Sequence, residues 1–122
     1  DATKTRRGGA GCSNSVRAVF GTGYIAPAPS NTASSELDYI TIATLGNATS
    51  FGDLTYDRLE TFGAVASHTR GVFGAGQDGS DNFVDTLDYV QIMTTGAGVD
   101  FGDLQDDRGG AGGCSNGNGG LG

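Results

Sequence analysis

The chain says nearly the same thing twice, and that repetition limits its possible folds more than any single residue does. LDYI at 37–40 returns as LDYV at 87–90, and SFGDL at 50–54 returns as DFGDL at 100–104, both 50 positions on. RAVFGTG at 17–23 returns as RGVFGAG at 70–76, 53 positions on, so the loop that follows is three residues shorter in the second copy. Asp1 and Arg6 match Asp53 and Arg58, then Asp103 and Arg108, and GCSN at 11–14 returns at 113–116. The units therefore run over 1–52 and 53–102, with a partial third at 103–122. A repeat of this length is one supersecondary unit that buries its apolar face against its neighbours.

Within a unit the pattern is that of short strands. Residues 17–24 place Val19 and Phe20 before a Gly-rich bend, and 37–44 alternate through Tyr39, Ile40 and Ile42. Gly46 and Asn47 then make a turn, replaced by Thr94, Thr95 and Gly96 in the second copy. Residues 50–55, with Phe51 and Leu54, form a third strand, and the small residues of 62–67 form a fourth that completes the unit. Helix is disfavoured, because 23 of the 122 residues are glycine and each costs roughly 1 kcal/mol in a helix interior. Four strands in each repeat predict an all-β chain of four-stranded antiparallel blades, as in a β-propeller. The single segment 1–122 then holds two blades and part of a third. Closed propellers take about 4–8 blades, so the ring needs other copies of the chain or further blades of a longer one. Asp1 falls in the middle of the FGDL phrase, a phase that favours the longer array.

Charge and composition narrow the function classes. Fourteen acidic against seven basic residues, a net charge of -7, suit nucleic acid poorly, since phosphate contacts need clustered Lys and Arg. No apolar run approaches the ~20 residues of a membrane-spanning helix, and no signal-peptide pattern opens the chain. His68 is the one histidine and reads as a surface loop residue; no nucleophile and base pair around it, so the chain is read as no enzyme, with no cofactor and no metal. Asp78, Asp81 and Asp85 could ligate calcium, but without the EF-hand ligand order they read as a solvated turn. Cys12 and Cys114 hold equivalent positions and are expected to be free, small, buried thiols, too far apart for a disulfide. Arg17 and Arg70, Arg58 and Arg108, and Asp53 and Asp103 recur at fixed phase and are expected to bond between strands or blades. Tyr39, Phe51, Tyr89 and Phe101 are expected to fill the wedge between blades. Binding residues concentrate on loops held by a rigid scaffold. The length-variable loops 24–31 and 77–83 therefore supply the candidate ligand or receptor contacts: Tyr24, Asn31, Gln77, Asp78, Asp81 and Asn82.

The order of these motifs resembles a Kelch repeat, in which a glycine pair ends one strand, a Tyr follows in the next, an aromatic comes after a short turn and a small-residue strand closes the blade. The counterparts are Gly21 and Gly23, Tyr39, Phe51 and 63–67, then Gly74 and Gly76, Tyr89, Phe101, and Gly112 with Gly113. The glycine pair is split as GxG, and Phe stands where the family usually has Trp. The regular FGDL and R-x-VFG phrases are similar to Gly-rich Kelch-like repeats of tailed phages, cyanophages among them, and of large viruses. The resemblance implies a non-enzymatic structural or adhesive module of a virion appendage such as a tail fibre. It would be located on the virion or outside the cell and contact a host-surface glycan or protein. A small carbohydrate-binding lectin assembling an oligomeric ring, and a Kelch-type protein-interaction module, are the alternative expectations.

Overall fold

A computed structural model describes residues 1–26, 32–61 and 63–115. Asn31, Phe62 and the closing 117–122 lie outside the described residues. Among the described residues there is no helix, and the strands are β1 (Arg6–Arg7), β2 (Ala10–Ser13), β3 (Arg17–Gly21), β4 (Tyr24–Ile25), β5 (Ser34–Thr41), β6 (Thr49–Arg58), β7 (Gly63–Ala66), β8 (Arg70–Gly74), β9 (Thr86–Gln91) and β10 (Val99–Asp103). They form two four-stranded antiparallel sheets, β2-β3-β5-β6 and β7-β8-β9-β10, with β1 and β4 as a small separate ribbon.

The repeat thus becomes one sheet per copy, but its boundaries differ from the expected ones. The small-residue strand Gly63–Ala66 does not complete the first sheet: it pairs with β8 and opens the second. Its counterpart is β2, residues that the pattern of 17–67 left out, because a run of Ala, Gly, Cys and Ser carries almost no alternation. Both opening hairpins turn the same way through different side chains. Asn14 Oδ1 accepts from the amides of Val16 and Arg17, and Ser67 Oγ from those of Thr69 and Arg70. His68, in that second turn, is exposed.

Strand alternation gives each sheet two faces. In the first sheet Val19, Leu37 and Phe51 lie on one face, while Phe20 and Ile40 lie on the other. The first of these faces packs on the second sheet, against Phe73, Val90 and Ile92, and the joint forms the core. Close approach is built in. A Cβ on Gly52 (φ 143°) would run into the carbonyl oxygen of Gly96, whose amide donates to Phe51 O at 2.9 Å. Gly71 likewise leaves room for Cys12 Sγ from the facing sheet.

Candidate functional site

The strongest chemistry in the molecule lies where the sheets are locked together. β6 stays paired with β5 in the first sheet out to Arg58, and from its far end Thr55 and the Arg58 side chain reach Asp88 of the LDYV phrase. Thr55 donates to Asp88 from both its hydroxyl (2.5 Å) and its amide (3.2 Å). The Arg58 guanidinium meets Asp88 Oδ2, the oxygen that accepts the Thr55 amide, at 2.6 Å and donates to Thr86 O at 3.0 Å, and both charged groups are fully buried. Burial pulls the Arg58 pKa below its ordinary value, and the Asp88 charge opposes that fall.

The same lock is made a second time by the opening segment. Thr3 donates to Asp38 from hydroxyl (2.6 Å) and amide (3.0 Å), and Arg6 lies 3.5 Å from the same carboxylate while donating to Glu36 O at 2.8 Å. Lys4 and Glu36 add an exposed ion pair at 2.6 Å. The third copy of the phrase, at 103–108, makes no such lock. Gln105 stands in place of the threonine, and Arg108 is 53% exposed and reaches only its neighbour Asp106 (3.7 Å). Of the recurring charged residues, then, Arg58 bonds between sheets as expected and Arg108 does not. Arg17 also reaches across, donating to Ile92 O at 3.4 Å, and its guanidinium stacks over Tyr39 (4.4 Å) as that of Arg70 does over Tyr89 (4.8 Å). Thr3, Thr55, Asp38 and Asp88 were missed in the sequence, although T-x-x-R recurs at the same phase as FGDL and would have revealed them.

One of the two candidate contact loops, 77–83, borders a polar cleft. Thr55, Tyr56 and Asp57 at the end of β6 face Asp78, Gly79 and Ser80 across a space of about 270 Å³. Gln77 ties this loop to the scaffold, bridging both Leu59 and Phe83. Asp78 caps it, accepting from the amides of Ser80 (2.7 Å) and Asn82 (3.0 Å) and from the Asn82 side chain (3.0 Å). Those donors, the Asn82 side chain first, hold its carboxyl below the usual range. Asp81 (φ 64°) and Asn82 are exposed at the tip. Tyr24 sits apart from them, half-buried, with the Arg7 guanidinium 4.8 Å from its ring centre. Asn31 lies outside the described residues. Among the described residues no cluster of three His, Cys, Asp or Glu could hold a metal ion, and Asp78, Asp81 and Asp85 do not converge.

Two further expectations are corrected. Cys12 and Cys114 are free, but only Cys12 is partly buried, and Cys114 is exposed. Burial pushes the Cys12 thiol from 9.0 up to about 11. The aromatic wedge is filled on one side only: Phe51 is 3% exposed and Phe101 53%. Among the described residues no helix is long and apolar enough to cross a membrane. No known family model matches this chain, and no curated protein matches it either.

Proposed function

We propose that this chain is a non-enzymatic structural and adhesive module. Its sheets are Kelch-like propeller blades of a virion appendage such as a tail fibre, where they mediate surface recognition or assembly. The observation that supports this reading is the lock of Thr, Arg and Asp made twice from one repeated phrase, at Asp38 and at Asp88. A joint encoded in the repeat itself can be made any number of times, which is what an extended or ring-shaped scaffold requires. The recognition surface is the cleft between the end of β6 and the 77–83 loop, with Tyr56, Asp57 and Asp78 as its contact residues. Single sites of this kind bind weakly and gain avidity by repetition.

The test is a glycan array probed with the protein displayed multivalently, in parallel with binding to intact host cells. Retention on cells that Tyr56→Ala abolishes supports the reading. Silence on both, with a folded protein, removes the adhesive half of it. Glycan binding with no preference for a cell surface favours the lectin.

A further inference from the structure

The joint between the two sheets has two distinct halves, and the molecule carries a spare copy of each. One half is the face of the first sheet that bears Val19, Leu37 and Phe51; its repeat partners on the second sheet are Val72, Leu87 and Phe101. Those three line an open apolar hollow of about 360 Å³. The other half is the face of the second sheet that bears Phe73, Val90 and Ile92, all fully buried. Its repeat partners on the first sheet are Phe20, half-buried, and Ile40 and Ile42, both exposed. Each uncovered face therefore has the composition of one side of an interface the chain already makes.

We infer that these two faces bind each other between molecules, so that the occupant of the second sheet's open face is the first sheet of a second copy of this chain. The inference rests on reading the sheets as successive units of one stacked array. The contact is head-to-tail, because the two faces differ, so it propagates to a ring or a filament and does not stop at a symmetric dimer. Backbone donors fit the same step. Gly96 N bonds Phe51 O within the chain, and Gly46, its repeat partner, is positioned to do the same to Phe101 O of the neighbouring copy.

One consequence concerns residues 103–115. They repeat 1–13 and run along the edge of the open face, with Ala111 beside Gly63 and Gly113 beside Val65. In a head-to-tail pair both segments claim one place. The opening segment keeps it, since Thr3 and Arg6 hold Asp38, whereas Gln105 lacks the hydroxyl, the Arg108 side chain meets only Asp106, and the strip is held by backbone bonds of Leu104 and Arg108 to Asp85, Gly76 and Val84. The 104–115 strip gives way, and the apolar faces carry the contact.

The test uses two full-length variants, each spoiled on one face: Phe101→Asp and Ile42→Asp. Both positions are about half exposed, and far-UV circular dichroism checks that each variant folds. Val99→Lys and Ile40→Lys, also exposed, replace either one that does not. By sedimentation equilibrium the unaltered chain is expected to grow beyond 12.3 kDa with concentration, and each variant alone to remain at 12.3 kDa. An equimolar mixture of the variants then forms a species of twice that mass and nothing larger, because one intact face of each kind remains. A folded, unaltered chain that stays at 12.3 kDa at every concentration overturns the inference. So does either variant dimerising alone, which would mean that a face pairs with itself. Phe51→Asp separates this from failure of the underlying reading: if that chain melts like the unaltered one, the stacked joint itself is wrong.

Discussion

Phe51 and Phe101 hold the same position in the two sheets, each 6.0 Å edge-on from the ring of a tyrosine, yet only Phe51 is buried. The same contrast runs through the whole repeat. A Cβ on Gly52 would strike the facing sheet, whereas one on Gly102 would meet nothing within 4 Å. Arg58 is fully enclosed with Asp88, and Arg108 points into solvent. The residues are alike and their neighbours are not. A repeated phrase therefore specifies a strand and a face, while the energy that phrase contributes depends on whether a second sheet lies against it.

The comparison can be broken most severely at the buried ion pair. Arg58→Ala leaves the Asp88 charge enclosed and unpaired, and we expect a loss of about 3–5 kcal/mol in urea unfolding. Arg6→Ala should cost less, since Arg6 lies farther from its carboxylate and retains some exposure. Arg108→Ala should stay within about 0.5 kcal/mol. Equal effects at all three positions would show that the lock plays no part in stability.

Truncating the aromatic pair follows. Phe51→Ala should cost about 3–5 kcal/mol, as large core deletions do, and Phe101→Ala well under half as much, by thermal melts of the monomeric chain. Smaller still is the effect of filling the gap at Gly71. Its Cβ would crowd Cys12 Sγ, so Gly71→Ala should lose about 1–3 kcal/mol. Most of that should return in the Gly71→Ala, Cys12→Ala double variant. Additive losses would place the strain elsewhere.

The mildest probe leaves the sequence intact. At pH 8 the exposed Cys114 should react with a disulfide reagent on the order of a hundredfold faster than Cys12, because so little of the Cys12 thiol is ionised. The same burial sets a sign for stability. The folded state holds the Cys12 proton more tightly than the unfolded chain, so stability is present in full below pH 9.0 and declines as pH rises toward about 11. Cys12→Ala should remove that decline while leaving behaviour at neutral pH otherwise similar.

The sequence made the all-β class and the β3, β5 and β6 positions readable, because Val19, Tyr39 and Phe51 stand out against glycine and small polar residues. It hid β2, whose Ala, Gly and Ser side chains carry no periodicity, and so the strand it did read at 62–67 was assigned to the wrong sheet. The loop residues Gln77 and Asp78 were visible as candidates from the length difference between copies. Their partners Tyr56 and Asp57 were not, since they come from the preceding sheet and no local spacing predicts that meeting. The Asp in LDYI and LDYV was overlooked beside its aromatic neighbour for a similar reason. Its role depends on a threonine and an arginine thirty or more residues earlier in the chain.

β6 is paired in one sheet along its length while its far end grips the next through the Arg58 side chain, and this has a mechanical consequence. Peeling β6 from the edge of its own sheet also requires breaking its grip on Asp88 of the next. Tension along the backbone is passed through Arg58 and Asp88 into the following sheet, where it loads the joint in shear. A chain jointed in this way behaves like a strap whose links overlap, stiff while every overlap holds and yielding one link at a time when pulled.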